Sequence, residues 1–161
     1  MKENDIKNKK IGFTIGKFAP LHKGHQFLIE TALNEMDKVI VVVYDTDVID
    51  VSTEKRAEWI KSIYPEVEIR LAHNPPSKYG LDDESVNIQM EYLYNIIGNE
   101  KVTHFYSSEE YGAYVAKYMN IVDRRVDNKR IKVPIHASQI RNSLENNKEW
   151  VHYNVYNDLN N

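Results

Sequence analysis

The run Val39-Ile40-Val41-Val42-Val43-Tyr44 constrains this chain more than any other feature, being six residues without a charge, five of them β-branched. Side chains alternate between the two faces of a strand, so such a run must be covered on both sides, as in the middle of a parallel sheet. Shorter runs at Ile11–Ile15 (ending at Gly16), Val67–Leu71, Val102–Tyr106 and Ile121–Val126 are further strand candidates. Helical patterns separate them. Phe27, Leu28, Ala32, Leu33 and Met36 recur at helical spacing within Lys23–Met36. Ser52 or Thr53 can cap a helix over Glu54–Ile63, with Pro65 beyond its end. Glu84–Ile97 closes at Gly98-Asn99, Glu109–Met119 follows, and two short helices, about Ser138–Asn146 and Lys148–Leu159, come after Pro134. Strands alternating with helices of this length predict βαβ units: an α/β fold with a five-stranded parallel sheet and helices on both faces. Such sheets bind ligands beyond the carboxyl ends of their strands, where the strand order reverses. The loop after the first strand is therefore the first place to look for function.

Composition narrows the possibilities. A length of 161 residues suits one domain, expected over 10–161 behind a flexible, charged lead-in at 1–9. With no cysteine, disulfides, thiolate metal sites and a cysteine nucleophile are excluded. The net charge of −3 offers no basic surplus for nucleic acid or an anionic membrane. No apolar run approaches the roughly 20 residues that span a bilayer, and the opening residues lack the apolar core of a secretory signal, so a cytoplasmic protein is expected.

The loop after the first strand reads Gly16-Lys17-Phe18-Ala19-Pro20-Leu21-His22-Lys23-Gly24-His25. It matches neither the dinucleotide-binding fingerprint nor a P-loop. Instead, two histidines three apart flank Gly24 where the first helix begins. Both imidazoles then lie on one face of the helix N-terminus, whose partial positive charge and free N–H groups attract anions. A polyphosphate suits that site, with Gly24 permitting close approach and Lys17 adding a mobile cation. A lone histidine at a helix start is more often a solvated capping residue. The pair lacks the i, i+4 spacing and glutamate of a zinc motif, so no metal ligand is assigned to the chain.

These residues resemble the H-x-G-H signature of the nucleotidyltransferase superfamily. Its second signature, roughly I-S-x-x-x-I-R, has a counterpart in Ile135-His136-Ala137-Ser138-Gln139-Ile140-Arg141, read as a helix capped by Ser138 with Arg141 one turn in. Between them, Tyr106-Ser107-Ser108-Glu109-Glu110-Tyr111-Gly112 resembles the S-S-E-x-Y-G stretch of NMN adenylyltransferases, above all the adenylyltransferase half of the bifunctional enzymes that also carry a ribosylnicotinamide kinase. Arg56 to Ile60 matches the family's R-x-x-W-[IL] helix. The resemblance covers residues 10–155 and does not extend to the kinase half. Two places depart from the family pattern. His136 replaces a serine, and the stretch Tyr79–Tyr92 carries no tryptophan, which leaves Tyr79 or Tyr92 to stack on the acceptor base.

The resemblance implies a Rossmann-like nucleotidyltransferase fold and transfer of AMP from ATP to the 5′-phosphate of NMN, giving NAD and pyrophosphate. It implies that His22 and His25 hold the α- and β-phosphates, and that Lys17 and Arg141 neutralise the leaving pyrophosphate. Gly16, Phe18, Gly24, Ser107, Tyr111 and Gly112, with Ser138, Gln139 and Ile140 of the second signature, would shape the nucleotide pocket. Mg²⁺ would arrive with ATP, held by substrate oxygens and water. The partners implied are ATP and NMN, with self-association open. Other phosphorylated acceptors for adenylyl or cytidylyl transfer, and a non-catalytic nucleotide sensor, remain alternatives.

Overall fold

The computed structural model describes residues 9–77, 80 and 82–160; most of the lead-in and Tyr79 lie outside them. The elements alternate as expected: β1 (Ile11–Gly16), α1 (Lys23–Glu35), β2 (Lys38–Tyr44), α2 (Thr53–Ile63), β3 (Glu68–Ala72), α3 (Asp83–Ile97), β4 (His104–Ser107), α4 (Gly112–Met119), β5 (Val122–Arg125) and α5 (Ala137–Asn142). A 3₁₀ helix (Glu145–Trp150) and α6 (Tyr153–Leu159) complete the chain. All five strands pair in parallel in the order β3-β2-β1-β4-β5. The direction of progression reverses at β1, so the crevice lies between the ends of β1 and β4.

β2 separates two cores. Val39, Val41 and Val43 pack with α1, α2, α5 and α6 through residues such as Ile29, Trp59, Ile60, Ile140 and Val155. Ile40 and Val42 face the other way, toward Met90, Leu93 and Ile97 of α3 and Val115 of α4, alongside Phe13 and Phe105. Each β2 residue from Val39 to Val43 is at most 1% exposed, which explains why the run tolerates no polar residue. Trp59 is core packing, and its Nε1 donates to Asp158 Oδ2 at 2.7 Å, joining α2 to α6. Among the described residues no helix is long and apolar enough to cross a membrane.

Three elements differ from expectation by three residues or more. Helix α4 begins at Gly112 rather than Glu109, because Glu109–Tyr111 form tight turns with Gly112 and Ala113 N–H donating to Glu109 and Glu110 carbonyls at 3.1 Å. The helix expected over Ser138–Asn146 stops at Asn142. The helix expected over Lys148–Leu159 is split at Val151–His152. Asn147 causes much of this: its backbone leaves the helical region, and its Nδ2 donates to the Gln139 and Ser143 carbonyls. Asparagine competes with helical hydrogen bonds in this way. His152 then caps α6, its Nδ1 accepting from Asn154 N–H at 3.2 Å.

Candidate active site

The two histidines form a reciprocal cap. His22 is the N-cap of α1; its Nδ1 accepts from Gly24 N–H at 3.0 Å and His25 N–H at 3.4 Å, while His25 Nδ1 accepts from His22 N–H at 3.1 Å. This is the geometry of a Ser-x-x-Glu capping box, built from imidazoles. Because each Nδ1 is an acceptor, each neutral ring carries its proton on Nε2, the remaining donor. The rings stack with centroids 3.7 Å apart. Burial, with Arg130 and His136 nearby, lowers the His22 pKa to about 3. Burial, His22 and Arg130 hold His25 well below its ordinary value. Both rings are therefore neutral hydrogen-bond donors at physiological pH. Gly24 allows the stack, since a Cβ there would lie 2.8 Å from His22 Cε1.

Arg56 holds the loop that delivers them. This arginine is 1% exposed; its guanidinium donates to the carbonyls of Lys17 and Tyr44, to Val51 O at 3.1 Å and to Thr53 Oγ1 at 2.9 Å. One side chain thus clamps the ends of β1 and β2 to the start of α2. Phe18 follows in the left-handed region at φ 50° and is buried, its ring edge-on to His25 at 4.8 Å.

Two cavities open beyond the strand ends. One is lined by Gly16, Phe18, Gly24 and His25 on the β1–α1 side and by Ser107 and Tyr111 on the β4 side. These six are all residues singled out from the sequence. Ser108 and Glu109 of the S-S-E-x-Y-G stretch line it too, together with Thr14, Ile15, Leu28 and Arg130, to which no site role was given. Arg130 is the notable omission. It sits at φ 53° in the loop after β5, which Asp127 organises by accepting from Ile131, Lys132 and Val133 N–H at 2.9–3.0 Å. Its guanidinium pairs with Glu109 Oε1 at 2.8 Å and donates to Ile135 O at 3.4 Å. An arginine within a polar Asp-Asn-Lys-Arg loop carries no local sign of this placement; its position before the second signature was the available clue.

The second cavity shares Ile15 and Tyr111 with the first and is otherwise lined by Lys17, Tyr44, Asp45, Pro75, Pro76, Gln89, Met90 and Tyr92. Lys17 therefore faces this side rather than the histidines' cavity. Tyr44 and Tyr92 meet edge to face at 5.9 Å, and Tyr92 donates its hydroxyl to His73 O at 2.6 Å. Burial raises the hydroxyl pKa of Tyr44 and Tyr111, so both stay protonated. Asp45, held to about 2 by Thr53 Oγ1, Asn74 N–H and His73, is the carboxylate of this cavity.

The second signature is arranged differently from the reading above. The N-cap of α5 is His136, two residues before Ser138, and Gln139 Oε1 accepts the His136 N–H at 2.8 Å. Ser138 is exposed and caps nothing; His136 takes the cap because its backbone is extended and Gln139 stands three residues on. Ile140 is buried in the core. Arg141 crosses to the loop after β1, donating to Ala19 O at 2.8 Å. Gly112 starts α4 behind Ser107. None of His22, Gly112, Ser138, Gln139, Ile140 or Arg141 lines the cavity beside His25; His22 is buried behind the His25 ring. Among the described residues no three His, Asp or Glu side chains gather to hold a metal ion.

Comparison with known proteins places this arrangement. The cytidylyltransferase-like family model matches residues 13–143, from β1 through α5. The structure of NadR protein in complex with NAD and AMP-PNP is 25% identical, with a TM-score of 0.61 over 89% of this chain and 45% of that one. A bifunctional NMN adenylyltransferase/ADP ribose pyrophosphatase from Francisella tularensis shares the fold at 21% identity, TM-score 0.61, over 94% of this chain and 52% of that one. So does a candidate nicotinate-nucleotide adenylyltransferase from Vibrio parahaemolyticus at 17% identity, TM-score 0.61, over 95% and 99% of the two chains. The chain spans less than half of the NadR protein. No curated protein matches the sequence.

Proposed function

The chain belongs to the cytidylyltransferase-like family of nucleotidyltransferases, and from that premise we propose that it transfers AMP from ATP to the 5′-phosphate of nicotinamide mononucleotide, releasing pyrophosphate and forming NAD. The observation that carries this reading is the pair of cavities meeting at Ile15 and Tyr111. One offers the neutral His25 imidazole at a helix N-terminus, with His22 stacked behind it, suited to a nucleoside polyphosphate. The other offers aromatic faces with a carboxylate beside them, suited to a cationic pyridinium ring. The similar NadR protein was solved in complex with NAD and AMP-PNP, nucleotide ligands of the same chemical classes.

In this reading ATP enters as its magnesium complex and lays its α- and β-phosphates against the Nε2–H groups of His22 and His25. Tyr92 stacks on the acceptor ring. Lys17, bordering the acceptor cavity, attracts the acceptor phosphate. That phosphate, with a second pKa near 6, is already an oxyanion at neutral pH and needs no general base. Its oxygen attacks the α-phosphorus in line, the bond from that phosphorus to the bridging oxygen breaks, and pyrophosphate leaves. Positioning and fixed N–H donors supply the rate enhancement. Arg141 contributes by holding the Ala19 carbonyl, and so the loop, in place.

The test is pyrophosphate release from ATP with NMN, nicotinic acid mononucleotide, phosphopantetheine and glycerol 3-phosphate offered separately. Release with NMN is expected. Release with one of the other acceptors alone moves the substrate while keeping the nucleotide site, and silence with all four in a protein that binds ATP points to a sensor or to an acceptor outside the four.

A further inference from the structure

We propose that Arg130 is a phosphate-binding residue of the nucleotide cavity and that Glu109 is its resting partner, exchanged for the phosphate chain when ATP enters. Arg130 belongs to no motif; it is brought to the cavity by the loop after β5. Its guanidinium lies 3.7 Å from where a Cβ on Gly24 would stand, above the N-terminal turn of α1 that carries the two histidines. The same cavity is lined by Gly24, His25 and Arg130 together. The histidines there are neutral, so the N-terminal turn supplies N–H donors but no full charge. Lys17 borders the other cavity, and Arg141 is engaged with Ala19 O. Of the cations considered for the phosphates, Arg130 alone lines the histidines' cavity. Guanidinium offers the forked donors that match phosphate oxygens.

Two further observations fit a functional placement. Arg130 is held in the left-handed region, which a branched-free but bulky side chain adopts only when its surroundings enforce it. The enforcement is visible, with Asp127 accepting three N–H groups of residues 131–133 and its carbonyl accepting Arg130 N–H at 2.8 Å. The partner is weakly committed: Glu109 is more than half exposed, and an ion pair that open contributes little in water. A triphosphate brings several negative charges to the same fork and displaces the carboxylate.

The inference rests on the nucleotidyltransferase reading for the identity of the nucleotide but not for the acceptor, so its test omits the acceptor. Binding of ATP and of adenosine is measured for the wild type, Arg130→Ala and Glu109→Gln. Arg130→Ala is expected to weaken ATP at least tenfold and adenosine less than threefold. Glu109→Gln is expected to tighten ATP about threefold or more, the competing carboxylate being gone. Equal losses for ATP and adenosine in Arg130→Ala, or none, overturn the assignment. Should Arg130→Ala not fold, unchanged or weakened ATP binding by folded Glu109→Gln overturns it instead. Failure of NMN as an acceptor leaves these outcomes untouched.

Discussion

His25 does two jobs with its two ring nitrogens. Nδ1 closes the cap on His22 N–H, and Nε2 remains as a donor for a ligand. Replacing it removes one cap bond, worth about 1 kcal/mol, and one transition-state donor, worth roughly 10²–10³ in turnover. His25→Ala is therefore expected to retain the native circular dichroism spectrum with a small loss of melting temperature while pyrophosphate release falls by roughly 10²–10³. Unchanged turnover would remove the role assigned to this ring. The capping and the phosphate-binding readings of a His-x-Gly-His start are thus compatible, since one nitrogen serves each. Much of the cavity was legible from such local patterns: Gly16, Phe18, Gly24, His25, Ser107 and Tyr111 do converge. Arg130 was not legible, because its loop is ordered by Asp127 and aimed by the course of the chain after β5. Ser138 and Arg141 were read as a phosphate-facing turn; the cap falls on His136 instead, Ser138 is exposed, and Arg141 donates to Ala19 O.

At the scale of elements, the joint between β1, β2 and α2 depends on Arg56. Three strand-end or loop carbonyls, at Lys17, Tyr44 and Val51, receive its protons, and its desolvation is offset by those bonds. Arg56→Met would leave these carbonyls without that donor. A loss of at least about 1.5–3 kcal/mol is expected, the worth of one hydrogen bond to a charged group, together with weakened ATP binding as the loop bearing Phe18 and His22 loosens. Urea denaturation and ATP titration check the two effects; native stability in this variant would show the clamp to be idle. The family-like Arg56-to-Ile60 helix was visible in the sequence, but its clamp was not. Helical periodicity says which face is buried, not which distant carbonyls a buried side chain meets.

For the molecule as a whole, the histidine pair links stability to pH. In the unfolded chain His22 takes up a proton below about 6.5, whereas in the fold it does so only near 3. Its contribution is fully present above pH 6.5 and is lost progressively as pH falls toward 3, at up to roughly 1.4 kcal/mol per pH unit. His25 and His104, both lowered chiefly by burial, act with the same sign. The urea midpoint is expected to fall between pH 7 and 5, and His22→Ala is expected to flatten that fall. A midpoint independent of pH over this range would show that the rings are not buried neutral in solution.

The sequence by itself determined the alternation of elements, the doubly covered β2 and the end of the sheet at which to look, because these follow from periodicities of 2 and 3.6 residues and from the local chemistry of caps and turns. Tertiary structure alone decided the company each residue keeps. The strand order β3-β2-β1-β4-β5 opens the crevice beside β1 and brings Ser107 opposite His25. Passage of the chain after β5 delivers Arg130 to Gly24, and the packing of α5 withdraws Arg141 to Ala19. Contacts between residues so far apart in the chain depend on how whole elements pack, which no window of neighbouring residues encodes.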